Sequence, residues 1–444
     1  MGEIEALIDA LQQHIPSAEI ISDIDKLREC TIDGVIPRLI VTPGTVEETA
    51  QTVALINQHG LTLLAHGNGS QINLGGLPER IDVLVNTTRL NRVLEHEAPD
   101  LTCQVEAGIT LAALGKQLAA SGQRLALDPP NADQMTIGGL LSSNASGPKR
   151  HRYGSARDQV IGLRVIQANG EIASSGGRVV KNVAGYDLNK LYIGSLGTLG
   201  LIVEANFKLQ PIPAAERTLL LTYANVEDAM RTVIDINGSL LAPSALEMID
   251  ANAASDMVDF FGLQLPTNGY SLAINFEGSL VGIQRQFDEA RVLARKNNAL
   301  LGDELEGEGQ EQFWSVIREH MQGTLTCKVA ILVSQIAAYL RHVERICAEH
   351  RLEAAIVAHA GSGILYIELR PCDAFPRLVK AITEMRQCAH EARGSLVVER
   401  CPADLKHLVN VWGEPGADFR FMQRLKQQFD PSGTFARGRF LGGL

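Results

Sequence analysis

The chain has 444 residues, 45% hydrophobic and 20% charged, the proportions of an ordinary globular protein with room for two or three domains. Its net charge of −11 argues against nucleic acid or an anionic membrane surface as partner, because both need clustered Lys and Arg. No apolar run reaches the roughly 18 residues of a membrane span, and the start Met1-Gly2-Glu3 lacks the basic region of a secretory signal, so a cytoplasmic protein is expected.

Residues 1–37 read as a helical segment ahead of the first domain. Thr45 and Glu48 form a capping box that predicts a helix over 46–60, stopped by Gly60. A short buried strand over 61–65 leads into Gly67-Asn68-Gly69-Ser70-Gln71. Strands are expected at 81–86 and 102–106, then a helix over 111–121 between Thr110 as cap and Gly122 as stop. Residues 164–168 and 171–174 flank Asn169-Gly170, which predicts a hairpin with a type I′ turn, a turn that needs positive φ at both central positions. Between Gly138 and Gly200 glycines are dense and helix formers few, so loop-rich backbone passing close to another group is expected.

The texture changes after Pro211 and Pro213. Strands at 219–222, 271–276, 329–333 and 365–369 alternate with helices at 335–350 and 375–393, an α+β pattern with a sheet covered on one face. A last helix carries Phe419, Met422, Leu425 and Phe429 and ends at Asp430-Pro431-Ser432-Gly433. No internal repeat is visible. Seven scattered cysteines without a Cys-x-x-Cys pair predict reduced thiols, with no disulfide framework, zinc ribbon or iron–sulfur cluster.

Three glycine-containing elements carry the chemistry. In Gly67–Gln71, consecutive backbone N–H groups after a buried strand can form a concave nest for a phosphate. Ile72 stands where a Rossmann fingerprint needs its third glycine, and alone the loop reads equally as an ordinary turn. The second element runs from Thr136-Ile137-Gly138-Gly139 through Asn144 to Gly147, after Asp128-Pro129-Pro130; its small residues and hydroxyls suit a backbone wrapped round a flat ligand. The third is Lys181-Asn182-Val183-Ala184-Gly185-Tyr186-Asp187, leading into Gly194, Gly197 and Gly200, whose spacing permits close backbone approach.

In order and spacing these elements resemble the FAD domain of the vanillyl-alcohol-oxidase and p-cresol-methylhydroxylase family, over residues 39–213. More narrowly, Gly147-Pro148-Lys149-Arg150, Gly154-Ser155-Ala156-Arg157-Asp158 and the stretch 181–187 resemble the E-type FAD-binding chains of glycolate oxidases (glycolate dehydrogenases), as does the ending 429–435. The resemblance implies an α+β fold: an FAD-binding domain of two subdomains over 38–213, a ferredoxin-like α+β cap over 214–418, and a segment over 419–444 returning to the FAD domain. It implies that Gly67, Asn68, Gly69, Ser70 and Gln71 hold the FAD diphosphate. Gly108, Pro129, Thr136, Gly138, Gly139, Asn144, Gly147, Tyr153 and Gly154 would then line the flavin side, and Gly200, Ile202 and Val203 would meet the adenine. Members that attach flavin covalently use a His or Cys; residues 67–76 contain neither, so non-covalent FAD is expected, with His66 just before the loop.

In related D-2-hydroxy-acid dehydrogenases a metal motif has His at both ends with Asp and Asn between. Here His359 stands at the first end, Tyr366 replaces the second His, and Ser362 and Ile364 replace the Asp and Asn. Glu399 matches a further ligand and Arg400 replaces a catalytic His base, so no metal is expected and the base is open among His359, Tyr366 and Arg400. Arg400 could pair with a substrate carboxylate or make a surface salt bridge.

The leading expectation is therefore an FAD subunit of a glycolate-oxidising complex, with a catalytic sister flavoprotein and an iron–sulfur partner. The alternatives are a self-sufficient dehydrogenase for D-lactate or another 2-hydroxy acid, and a non-catalytic assembly subunit.

Overall fold

The computed structural model describes residues 2–178, 186–261, 268–300, 302–320, 323–370 and 375–444. The stretch 181–185 of the third glycine element lies outside these described residues. The first sheet contains β1 (Glu19–Ile21), β2 (Leu39–Thr42), β3 (Leu63–His66) and β4 (Val83–Asn86), in the order β1-β2-β4-β3. β2, β4 and β3 run parallel, which demands crossovers, and the helix Val46–Gln58 supplies the one between β2 and β3. Thr45 caps that helix by accepting the Glu48 N–H at 3.1 Å, a contact worth about 1 kcal/mol. The box closes differently from expectation: the Glu48 carboxylate takes the N–H of Gly44 at 2.6 Å. Val53 and Ile56 of the helix pack on Leu39, Val41, Val83 and Val85.

Chain order continues with β5 (Val93–Glu97), β6 (Thr102–Glu106), the short β7 (Gln123–Arg124), β8 (Val160–Ile166), β9 (Ile172–Gly176), β10 (Leu201–Lys208) and the short β11 (Gln210–Pro211). Five of them form an antiparallel sheet in the order β5-β6-β10-β8-β9, and β7 pairs with β11. The hairpin β8–β9 forms, but its turn is not type I′. Gly170 has φ +83° while Asn169 is not among the residues with positive φ, and the Gln167 N–H donates to the Glu171 carbonyl at 2.9 Å across a longer loop. Glycine is needed there for space too, since a Cβ on Gly170 would come within 2.6 Å of Ala54.

The cap sheet is built from β12 (Ala215–Tyr223), β13 (Ala245–Asp250), β14 (Tyr270–Gly278), β15 (Gly302–Glu306), β16 (Thr326–Ala330), β17 (Ala354–His359), β18 (Ile364–Leu369) and β19 (Ser395–Arg400). All eight lie in one antiparallel sheet, ordered β15-β12-β14-β13-β17-β18-β16-β19. The first four strands stand in the order fourth, first, third, second, and the last four in its mirror image. The cap is thus two ferredoxin-like halves joined where β13 pairs with β17. That repeat is one of topology, which is why no repeat shows in the sequence.

Helices Val226–Asn237, Leu280–Lys296, Ile336–His350 and Phe375–Glu391 bury one face, with Phe276, Phe287, Tyr339 and Ile382 in the shared core. The other face is not bare, contrary to the one-sided cover expected. Helices Ala251–Phe261 and Gly307–His320 form a smaller core there, in which the Trp314 indole donates to the Thr218 hydroxyl at 2.8 Å. β16 starts three residues earlier than expected because Lys328 interrupts its apolar pattern without ending the strand.

After the helix Phe419–Phe429, the tail returns to the first sheet. The Leu63 N–H donates to the Thr434 carbonyl at 2.7 Å and the Ala436 N–H to the Leu63 carbonyl at 2.9 Å, so the tail extends the exposed side of β3. Among the described residues, no helix is long and apolar enough to cross a membrane.

Candidate active site

The parallel strand β3 ends at His66 and releases the chain into the loop 67–71. Gly69 adopts φ +76°, a conformation that side chains rarely take. Gly67 faces Thr136 so closely that a Cβ there would overlap the threonine side chain, and the Asn68 carboxamide donates to the Gln134 carbonyl at 3.0 Å. The first two glycine elements therefore share a wall. Among the described residues, no acceptor takes the backbone N–H of Asn68, Gly69, Ser70 or Gln71. A row of free amides is what an anion such as a diphosphate requires.

Thr136 caps the helix Ile137–Ser143, accepting the Gly139 N–H at 3.2 Å, while the Gly138 N–H donates to the Ala107 carbonyl at 2.7 Å. Ile137, Leu140 and Leu141 anchor the helix in the core of the second sheet, each worth about 1.5–3 kcal/mol when fully buried. The third element is tied to this helix: the Gly194 N–H bonds the Leu141 carbonyl and the Leu196 N–H the Ser142 carbonyl, both at 2.9 Å.

A cleft of about 520 Å³ results, lined by Gly67, Asn68, Gly69, Ser70, Gln71, Thr136 and Gly139, with Ile72, Ser143 and Arg439. A second lobe of about 450 Å³ shares Gly67, Gly139, Ser142 and Leu196 with it and adds His66, Gly138, Gly200 and Ile202. His66 Nδ1 is buried without a partner, and burial pushes the imidazole below its ordinary value, so the ring is neutral. An elongated cleft with free amides, a flat glycine-rich wall and an unpartnered ring nitrogen fits FAD.

Other expected cofactor residues lie outside this lining. Gly108 allows close packing, its N–H bonding the Leu90 carbonyl at 2.7 Å. The Val203 carbonyl accepts the Ala107 N–H at 2.8 Å. Asn144 ends the helix Ile137–Ser143 at φ +49°, with its Oδ1 buried and unpartnered. Pro129 is buried, and Gly147 sits against the Asp128 carbonyl with no room for a Cβ. Gly154 turns the chain at φ +74° beside Asp158.

Tyr153 points to the cap, not the cleft: its hydroxyl donates to Glu277 at 2.5 Å. The same carboxylate pairs with Arg124 and, at 2.9 Å, with Lys149. Burial alone would raise Glu277, but Arg124, Lys149 and Tyr153 overcome it and hold the group at about 2. Beside it, both oxygens of Asp128 accept the Lys149 N–H at 3.1 Å. Burial outweighs the pull of Arg318 and Lys149 there and lifts Asp128 to about 6.

The cap supplies a second polar cluster. His359 Nδ1 contacts Glu247 Oε2 at 2.7 Å, and its ring meets the Tyr366 ring edge-on at 5.3 Å. The Lys328 ammonium bonds Glu399 at 2.7 Å and lies 5.4 Å from the centre of the Tyr366 ring. Glu399 is followed by Arg400, whose guanidinium donates to the Ser70 carbonyl at 3.3 Å. Arg400 is thus a half-buried link between the cap and the loop 67–71. That link sets the cap cluster one residue away from the cleft.

Burial pushes Glu247 up, and burial with the charges of Arg150 and Lys328 pushes His359 down. The pair shares one hydrogen bond, and Glu247 Oε1 and His359 Nε2 are buried without a further partner among the described residues. Burial raises Tyr366, which keeps its proton. Lys328 is held charged by Glu399 in spite of burial.

Arg150 is the spare cation: half-buried, it bonds the Ser146 hydroxyl at 2.9 Å, and among the described residues no carboxylate pairs with it. Sequence reasoning gave no role to Arg150, Glu247 or Lys328. The usable signal was a single charge inside an apolar strand, at Glu247 in Ala245–Asp250 and at Lys328 in Thr326–Ala330.

The fold and cleft define an FAD-binding flavoprotein with a two-subdomain cofactor domain and an α+β cap. Its backbone superposes on p-cresol methylhydroxylase with a TM-score of 0.78 over 99% of this chain and 97% of the other, at 15% identity. Residues 37–176 match the FAD binding domain family, and residues 212–440 match the FAD linked oxidases, C-terminal domain. The chain belongs to the FAD linked oxidases, and FAD is its cofactor. It is 28% identical to the glycolate oxidase subunit GlcD of Bacillus subtilis over 420 residues, 91% of this chain and 89% of that protein. It is 25% identical to the D-2-hydroxyglutarate dehydrogenase of Stutzerimonas stutzeri, over 98% of each chain.

Proposed function

We propose that this chain is the FAD-binding subunit of a complex that oxidises a small 2-hydroxy acid, glycolate first among them, to the 2-oxo acid, with electrons passed to an iron–sulfur partner. FAD supplies the two-electron acceptor for the hydride leaving C2 of the acid. The relatives named for glycolate and D-2-hydroxyglutarate support the substrate class. One observation carries the reading: the cap cluster offers two cations, Arg150 and Lys328, for a carboxylate.

Arg150 receives the carboxylate in its planar fork, Lys328 adds charge, and the unpartnered His359 Nε2 is left for a substrate oxygen. Arg400 stands where related dehydrogenases have the histidine that takes the hydroxyl proton, which supports a sister flavoprotein that supplies the base and completes the reaction. This reading includes the division at 38–213, 214–418 and 419–444, and a cytoplasmic location. It also includes non-covalent FAD, in keeping with a loop 67–76 that holds neither His nor Cys.

The purified chain, mixed with glycolate, should hold its flavin oxidised, and heat should release all of that flavin. The same chain copurified with a sister flavoprotein and an iron–sulfur protein should bleach. Full-rate bleaching of the isolated chain would overturn the subunit reading.

A further inference from the structure

Behind the cleft, three charged side chains from distant parts of the chain meet out of solvent. The Asp33 carboxylate takes the Lys406 ammonium and the Arg439 guanidinium, each at 2.8 Å, and none of the three is more than 4% exposed. One carboxylate cannot balance two cations, so the triad carries a net positive charge. Both cations are pulled below their ordinary pKa by burial. Both cations also donate to backbone carbonyls of one stretch. Lys406 bonds Asn73 at 2.5 Å, and Arg439 bonds Leu74 at 2.5 Å, Gly76 at 2.7 Å and also Ile72.

That stretch continues directly from the loop 67–71, whose other end is fixed by β3 in the parallel sheet. The free amides of residues 68–71 are therefore pinned on both sides. Arg439 also lines the cleft, where it is the single Lys or Arg among the described lining residues. Its own carbonyl is held in turn by the Gly76 N–H at 2.9 Å and the Trp412 indole at 3.0 Å. The bonds of Lys406, Arg439 and Gly76 tie residues 72–76 to the end of the cap and the C-terminal tail.

We propose that the Asp33–Lys406–Arg439 triad is a positioning device for the FAD diphosphate. It presets the loop amides and supplies the positive charge behind them, which makes FAD retention depend on a docked C-terminal tail. With both of its terminal nitrogens already engaged by protein acceptors, Arg439 acts through the loop. Preset donors lose little freedom on binding, and this is where the affinity gain arises. The proposal rests on FAD occupying this cleft.

The test uses the full chain stripped of flavin and titrated with FAD and with riboflavin, followed by flavin fluorescence. Lys406→Met deletes the surplus charge and keeps the Asp33–Arg439 pair. Arg439→Lys keeps the charge but cannot span its four acceptors. Each should weaken FAD about tenfold or more, the scale of losing charge-assisted hydrogen bonds, and leave riboflavin affinity unchanged. The two variants separate charge from geometry, so misfolding of one, seen in the apoprotein melt, leaves the other to decide.

Gly69→Val, which closes the loop without touching the triad, is the control for the cleft. If it binds FAD as the native chain does, the cleft reading fails. If it loses FAD while both triad variants keep native affinity, the triad proposal alone is overturned. Equal losses of FAD and riboflavin would overturn the diphosphate assignment.

Discussion

His359 and Glu247 stand directly opposite one another in the β13–β17 seam, Nδ1 to Oε2 at 2.7 Å, both closed off from solvent. The pair sits where the two halves of the cap join, so it serves the fold as well as the site. Glu247→Ala should leave a buried imidazole nitrogen unpaired and cost about 2–3 kcal/mol. Glu247→Gln should cost less, because it keeps the volume and a hydrogen-bonding group. Denaturant unfolding of each variant measures both. A carboxyl raised by burial stabilises the fold at low pH and loses that contribution as pH climbs through its folded value. Glu247→Gln should therefore flatten the alkaline side of the stability profile.

Glu277 has the opposite sign. Held at about 2 by Arg124, Lys149 and Tyr153, it contributes fully above its unfolded value and loses that contribution as pH falls from about 4.5 toward 2. Its side chain is 2% exposed, and the contribution is on the order of 2 kcal/mol. Glu277→Gln should remove the acid-side slope and loosen the cap from the FAD domain. Thermal midpoints across that pH range, with limited proteolysis at neutral pH, check the two effects.

Arg150→Ala should spare flavin content, since the residue lies outside the lining of the cleft. In the assembled complex it should raise KM for glycolate about tenfold or more, as expected for a lost charge-assisted fork. Arg150→Lys should recover only part of this, because an ammonium is a point donor. An unchanged KM would remove Arg150 from the substrate site.

Chelators should have no effect. Among the described residues no group of three His, Cys, Asp or Glu could hold a metal ion, and His359 and Glu399 are already engaged by Glu247 and Lys328. EDTA treatment should leave the melting midpoint and the rate of flavin reduction in the complex unchanged. A loss restored by added Zn²⁺ or Mn²⁺ would show a site.

Much of the cofactor cleft was legible from sequence because its features are local. A phosphate-binding loop needs particular residues in succession, and Gly67–Gln71 and Thr136–Gly139 carry that requirement in their spacing. The helix start at Thr45 and the strand Thr102–Glu106 follow from side chains within a few positions of each other. The turn at Asn169-Gly170 misled because its conformation answers to Ala54 on a distant helix, which no dipeptide reveals.

The cap's paired halves, the placement of Arg400 on Ser70 and the roles of Arg150, Glu247 and Lys328 depend on strands brought together from far apart. The amino-acid order alone carried the family resemblance that points to FAD and marked the glycine stretches that line the cleft, since backbone reach and glycine φ are properties of neighbours. Which charges are neutral, which are paired, and that Asp33, Lys406 and Arg439 meet behind the cleft were decided only by the tertiary structure. Burial and charge pairing are set by what surrounds a group in space, and that surrounding is assembled from residues hundreds of positions apart.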